Sequence, residues 1–385
     1  GLARARRARA ARTLIESTDL PFSDLAFAAG FDSIRQFNDT VKDVFALTPT
    51  ELRRSRRSPG HRGAESSSDG RDRLGLVPAT LDLRLALRPP IELDAVVAWL
   101  DSHAVPGVES VVDGWYRRAL RLPSGPGVIE VDLNSLDRSN RPGLDARFRL
   151  AALGDLQTAI QRTRRVFDLD ADPARIDADL SSDADLAALV ALRSGMRAPG
   201  DADGFEAALR AIVHQQVSVA AARTTLGRIA ERHGSALGES VAPSADDGIV
   251  RLLPAAEALA AVEPESLGMP RARARSLVAL AAAVAEGDID LSPLADRDET
   301  AERLLALPGI GPWTVSIVRL RGLGDPDVFV SSDLAVRRVA AALGMASTDR
   351  ELDARAAAWS PWRSYALHHL WAAYRSDPRL KETSS

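Results

Sequence analysis

Leu307-Pro308-Gly309-Ile310-Gly311-Pro312-Trp313-Thr314, followed about twenty residues later by Phe329-Val330-Ser331-Ser332-Asp333, is the stretch on which the reading of this chain turns. A hairpin that grips a phosphate needs backbone N–H groups free to point outward, a turn narrow enough for close approach, and a helix N-terminus behind it. Gly309 and Gly311, with Ile310 between them, meet the first two needs. Pro312 suits the first turn of a following helix, where its missing N–H costs nothing, and Thr314 offers a hydroxyl to the same phosphate. With a helix expected over 298–306, the run reads as a helix-hairpin-helix that binds nucleic acid. A plain loop between packed helices is the alternative.

Asp333 has two readings that do not compete. Ser331-Ser332-Asp333 before Leu-Ala-Val is an ordinary N-cap pattern. A capping carboxylate also sits among free N–H groups at the positive end of the helix dipole. Such a group is what base excision uses: positive charge develops on the deoxyribose as the N-glycosidic bond stretches, and a nearby anion stabilises it while orienting or deprotonating water.

The composition bounds what else the chain can be. Its 385 residues with 45% hydrophobic content exceed one ordinary core and suffice for two or three domains. The chain holds no cysteine, which excludes disulfides, thiolate zinc sites, cysteine nucleophiles and cysteine-ligated iron-sulfur clusters within it. No apolar run approaches the roughly 20 residues that span a bilayer, and the arginine-rich Gly1 to Arg12 has no apolar segment after it, so a cytoplasmic, nucleoid-associated location is expected. Net charge is -4, but residues 1–58 carry +4 and the remainder -8. An acidic body argues against wide electrostatic wrapping of DNA and for a local grip through main-chain N–H groups and a few arginines.

Working outward, the pattern predicts a multidomain, mainly α protein. Arg4 to Glu16 is helical in pattern, a short helix ends at Gly30, and a second, over 33–47, carries Arg35, Gln36 and Asn38 near its start. Gly30-Phe31-Asp32-Ser33, Phe37-Asn38 and Thr48-Pro49 with Leu52-Arg53 resemble the second helix-turn-helix of an AraC-type DNA-binding domain, so residues 1–57 form a fragment in which those three residues would read DNA. An amphipathic fragment without function is the alternative. Residues 58–73 are Gly, Ser, Arg and Asp almost without apolar residues and read as a linker. Leu81 to Arg88 alternates with period two, and further strand patterns, a helix near 93–102 and another near 155–167 make residues 74–182 a small α+β domain with an antiparallel sheet. Residues 183–377 are helical almost throughout, and 378–385 form a tail.

Residues of about 200 to 375 resemble the helix-hairpin-helix DNA glycosylase superfamily, with Asp333 in the position of the catalytic aspartate. Within it the closest resemblance is to the 3-methyladenine DNA glycosylase II family, on Phe205-Glu206, Ala211-Ile-Val-His-Gln-Gln-Val-Ser-Val219, Leu267-Gly-Met-Pro270, Leu320-Arg-Gly322 and Pro361-Trp-Arg-Ser-Tyr-Ala-Leu-His-His-Leu-Trp371. Residues 74–180 resemble that family's N-terminal α+β domain. Bifunctional members of the superfamily have a lysine just after the hairpin, whose amine forms a Schiff base and nicks the strand. This chain has Trp313 there and no lysine between 43 and 380, which implies a monofunctional enzyme.

The resemblance also implies a base pocket and a wedge. An indole face attracts a cationic ring such as 3-methyladenine or 7-methylguanine. Trp313 would set specificity and Trp371 and Tyr365 would line the same pocket, although core packing explains both tryptophans equally without the resemblance. Ile317 replaces a tyrosine found in the best-known type of this family, which makes the pocket less aromatic. Gln216, beside Gln215, stands in the position of the residue that fills the gap left by the flipped nucleotide; a helix-surface glutamine is the bland reading. His368-His369 cannot chelate one metal jointly, since neighbours on a helix diverge by about 100°. No metal or cofactor is expected, the partner is double-stranded DNA with alkylated bases, and a monomer is expected. The second reading is a transcriptional regulator of the adaptive response to alkylation, contacting promoter DNA through the N-terminal segment with a secondary glycosylase domain. The methyl-accepting cysteine of such regulators is missing from this chain.

Overall fold

Local sequence signals account for most element ends in the computed structural model, which describes Arg7, Ala8, Ala11, Arg12, Leu14, Ile15 and residues 21–56 and 78–382, except 32, 46, 140, 243–247 and 347. The expected linker over 58–73 lies outside the described residues, as does most of the helix expected over 4–16. Helices Phe22–Ala28, Ile34–Phe45 and Pro49–Arg56 form the N-terminal unit. Gly30 turns the chain between the first two at φ +78°, a conformation that disfavours any side chain. The third begins at Thr48, whose Oγ1 accepts from Glu51 N (3.3 Å) while Glu51 Oε2 accepts from Thr48 N (2.7 Å), with Pro49 in the first helical position. Phe31, Phe37 and Val41 are buried here, and this apolar face joins the core of the sheet domain.

Five strands, β1 (Ala79–Ala86), β2 (Glu109–Val112), β3 (Trp115–Leu122), β4 (Gly125–Asp132) and β5 (Gly143–Leu150), form one antiparallel sheet in the order β1-β5-β4-β3-β2. The period-two pattern of β1 sends Leu83 and Leu85 inward and leaves Thr80 and Asp82 exposed. That face packs on Val96 and Leu100 of helix Leu93–His103 and on Leu156 and Ile160 of helix Leu156–Val166. Ala119 and Val128 point the other way, into the helical body.

The body has two cores. One gathers helices Gly204–Val213, Val219–His233, Arg271–Ala285 and Arg297–Leu305, around Leu209, Ile212, Leu226, Leu277 and Leu304. The other gathers Pro173–Leu180, Ala184–Leu192, Leu334–Ala342, Asp349–Ala356 and Arg363–Ser376, around Leu186, Val336, Trp359 and Leu370. Helix Pro312–Arg321 lies between them: Val315 and Val318 belong to the first, Leu320 to the second, and Ile317 packs against both. Buried ion pairs tie sheet to body. Arg118 lies 3.2 Å from Glu109 and also pairs with Glu206, while Arg210 lies 3.2 Å from Asp201 and also pairs with Glu109. Removing one partner of such a buried pair typically costs about 3–5 kcal/mol. Among the described residues no helix is long and apolar enough to cross a membrane.

Candidate active site

The hairpin is built from glycine geometry and two braces. Gly309 has φ +79°, and Ile310 beside it is buried and anchors the turn in the first core. Ser276 Oγ, from helix Arg271–Ala285, donates to Pro308 O at 2.7 Å. Gln215 Nε2 donates to Gly309 O at 3.1 Å and to Thr314 Oγ1 at 2.9 Å. Gly311 is the N-cap of helix Pro312–Arg321 and brings no side chain, so the first N–H groups of that helix have no side-chain acceptor among the described residues. Nothing lies within 4 Å of where a Gly311 Cβ would stand. The result is a small, open, N–H-lined surface suited to an anion. Thr314 and Gln215 meet each other: Thr314 is 2% exposed and its hydroxyl accepts from Gln215.

Asp333 caps helix Leu334–Ala342. Its Oδ1 accepts from Ala335 N at 3.0 Å, Val336 N at 3.1 Å and Trp371 Nε1 at 3.2 Å. All three bonds fall on one oxygen, so among the described residues Oδ2 is left for whatever enters from outside. The carboxylate is neither core-buried nor fully exposed. It can therefore face a bound substrate without being an uncompensated buried charge. Asp333 and Trp371 thus meet directly, as the spacing could not show.

Trp313 is half-buried on the first turn of the hairpin helix and packs against the second core, as does Trp371. Ile317, one turn on, is also half-buried. Tyr365 is placed differently from the expectation. It is 5% exposed, packs edge-on to Trp362 (5.9 Å, 75°) and has its hydroxyl on Asp168. Burial pushes the Asp168 carboxyl up to about 6 despite bonds from Ala198 N and Tyr365, and burial, together with the Asp168 charge, pushes the Tyr365 hydroxyl up as well. A phenol so committed packs the helix rather than lining an open pocket.

Gln216 and its neighbours form a break between helices. Gly204–Val213 ends, His214 to Val217 turn, and Ser218 caps Val219–His233 by accepting from Ala221 N. Gln216 has φ +55°, and the strip Gln216 to Ala220 is exposed. Gln215 thus fastens a projecting loop to the hairpin. In the N-terminal unit Arg35, Gln36 and Asn38 all lie on the exposed side of helix Ile34–Phe45; Arg35 is 4.0 Å from Asp39. His368 and His369 are both buried, and burial drives His369 down to about 4 and His368 well below the usual range. Among the described residues no cluster could hold a metal ion.

The sequence reading missed part of the site. Trp99, on helix Leu93–His103 of the sheet domain, and Trp371 converge on Arg321, at the end of the hairpin helix: its guanidinium lies over the Trp99 ring at 4.1 Å and over the Trp371 ring at 5.4 Å. His103 stacks on Trp99 (4.6 Å, 20°) and faces His214 (5.7 Å, 30°). The run Leu320-Arg-Gly322 was visible, but nothing in it said which tryptophans it would meet.

Family models match in three places: a helix-turn-helix domain over residues 1–55, an AlkA N-terminal domain over 82–203, and an HhH-GPD superfamily base excision DNA repair protein over 209–364. The chain is 43% identical over 373 residues, 96% of its length and 70% of the relative's, to a probable bifunctional transcriptional activator/DNA repair enzyme AlkA of Mycobacterium tuberculosis. It is 32% identical over 288 residues to DNA-3-methyladenine glycosylase 2 of Escherichia coli, covering 74% of this chain and 94% of that one. Among solved structures, a 3-methyladenine DNA-glycosylase from Archaeoglobus fulgidus shares the fold, with a TM-score of 0.65 at 20% identity over 77% of this chain and 99% of the other.

Proposed function

We propose, from the premise that this chain belongs to the 3-methyladenine DNA glycosylase II family of the helix-hairpin-helix superfamily, that it is a monofunctional enzyme excising alkylated purines from duplex DNA. The observation that carries the proposal is the Asp333 carboxylate, fixed through Oδ1 by two backbone N–H groups and the Trp371 indole with Oδ2 open. The N–H groups of Gly309, Gly311 and Trp313 grip a phosphate beside the lesion, and Gln216 fills the stack as the nucleotide leaves it. Gln215, bonded to Gly309 O and Thr314, braces the hairpin.

The chemistry follows from charge. A base alkylated at N3 or N7 is cationic, and the C1′–N bond breaks with its electron pair going to the base, which departs neutral. No general acid is then required. Positive charge appears on the sugar, where Oδ2 of Asp333 stabilises it and takes a proton from the water that adds to C1′. Trp313 offers the π face that favours the cationic ring. With Trp313 just after the hairpin and lysines only at 42 and 381, no amine is available for strand cleavage.

Residues 1–57 support a second role on the same chain, contact with promoter DNA through Arg35, Gln36 and Asn38, exposed on one helix. Incubation with methylated DNA followed by chromatography of released bases tests the enzyme reading. Failure to release any methylated base, with protection of a defined promoter, would favour the regulator instead.

A further inference from the structure

Arg321 is a cation with little access to water at the edge of the site, and the reaction described above leaves it unused. It is 5% exposed, and its Nη1 donates to the Pro199 carbonyl. The Asp201 carboxylate, whose charge acts on Arg321, is already paired with Arg210 at 3.2 Å. What surrounds the guanidinium instead is aromatic: the Trp99 ring at 4.1 Å and the Trp371 ring at 5.4 Å. These rings come from helices Leu93–His103 and Arg363–Ser376, so three separate segments meet on one side chain. From Trp99 the stack continues through His103 to His214, immediately before the projecting loop.

Trp371 is held on three sides. Arg321 lies over its ring, His368 meets it at 83° with centroids 5.2 Å apart, and its Nε1 donates to Asp333 Oδ1. A tilt of the indole large enough to escape one of these contacts breaks another. A planar guanidinium restrains a ring through its face as an ammonium cannot, and it stays charged when buried.

We propose that Arg321 is a positioning residue for base excision, fixing Trp371 so that its N–H stays on Asp333 and making Trp99 of the sheet domain part of the frame of the site. The proposal rests on the reading of Asp333 as the reacting carboxylate. It also divides labour between the indoles: Trp371 already has a cation over its ring, which leaves Trp313 to receive a cationic base.

The test is single-turnover release of 7-methylguanine from a defined duplex by the full chain, alongside affinity for a duplex carrying an abasic-site analogue. Arg321→Met should lower the rate at saturating enzyme ~10-fold or more, the scale of a small misplacement of reacting groups, and change affinity less than about twofold. Arg321→Lys should recover only part of the rate. Trp99→Ala should behave like Arg321→Met, and Trp99→Phe, which keeps a ring face, should restore most of the rate. The Trp99 pair decides the matter if Arg321→Met does not fold. A wild-type rate in folded Arg321→Met, equal rates in the two Trp99 variants, or a rate loss matched by an equal loss of affinity would overturn the proposal. Asp333→Asn run in parallel separates the two claims: if it is inactive while Arg321→Met is normal, only the role of Arg321 falls, and if it is active, the reading of Asp333 falls first.

Discussion

Replacing Gly309 with alanine tests whether the hairpin is held as described. Its φ of +79° costs an L residue about 1–2 kcal/mol. A Cβ there would stand 2.2 Å from Ser276 Oγ and 3.4 Å from Ser276 Cβ. The hydroxyl must therefore swing away from Pro308 O (2.7 Å) and Ala272 O (3.1 Å). Ser276 is buried, so losing that bond adds roughly 1–2 kcal/mol. Gly309→Ala should thus lose roughly 2–4 kcal/mol. Ser276→Ala alone should lose about 1–2 kcal/mol, and the double variant should fall short of the sum by about 1–2 kcal/mol, because the Ser276 bond is lost only once. Gly311→Ala is the contrast: its backbone is ordinary at φ -108° and ψ 177° and its Cβ meets nothing, so stability should hold within about 0.5 kcal/mol. Its methyl would instead stand on the surface offered to phosphate and weaken DNA binding. Denaturant titration and fluorescence anisotropy with an abasic-analogue duplex measure both effects. The reasoning fails if Gly311→Ala binds DNA as tightly as wild type, or if the Gly309 and Ser276 effects simply add.

Three further outcomes are expected. Gln216→Gly should leave stability unchanged or raise it by up to about 1 kcal/mol, since glycine accepts φ +55°, yet slow excision from fully paired duplex ~10-fold; equal rates on paired and mismatched substrates would argue against a wedge. Burial, with the charges of His214 and nearby arginines, drives His103 down to about 3. The unfolded chain then binds a proton that the folded chain refuses, so stability present above pH 6.5 declines between pH 6.5 and 3. The His103 share of the fall in Tm from pH 6.5 to 5 should be roughly 2 °C, and His103→Phe, which keeps a ring in the stack, should remove that share while the buried His214, His368 and His369, also held below the usual range, keep the rest of the slope. Borohydride added during turnover should trap no covalent DNA adduct; an adduct at Lys42 or Lys381, the two lysines of the chain, would contradict hydrolysis without strand cleavage.

What could be read in the sequence followed from how locally each feature is encoded. Glycine and proline dictate backbone conformation by themselves, so the hairpin and the turn at Gly30 were legible, as was the alternation that turns β1 inward. Asp333 was legible as a cap from three residues, but its bond with Trp371 was not. Contacts between distant segments leave no such trace. Arg321 meets Trp99 across the boundary between sheet domain and helical body, and Trp99 looks in sequence like any apolar residue on an amphipathic helix. Tyr365 is the converse case, a side chain whose burial its place on the helix did not announce. It lies six residues before Trp371 on one helix, about 120° away around the axis, so the two side chains face different neighbours. Gln216 was legible as a position but not as a conformation, because its left-handed backbone is imposed by the break between two helices, not by a residue that prefers it.

The claim on which the account depends is that Asp333 is the reacting carboxylate, and the direct measurement is release of 3-methyladenine and 7-methylguanine from methylated DNA by wild type and Asp333→Asn. At about 4 Å and an effective dielectric of about 20, a carboxylate stabilises a unit positive charge by roughly 4 kcal/mol, which corresponds to about 10³ in rate. Asparagine keeps an oxygen to cap helix Leu334–Ala342, so the variant should fold and bind DNA normally while releasing base at least about 10³-fold more slowly. A folded Asp333→Asn that released either base within about tenfold of the wild-type rate would contradict the account.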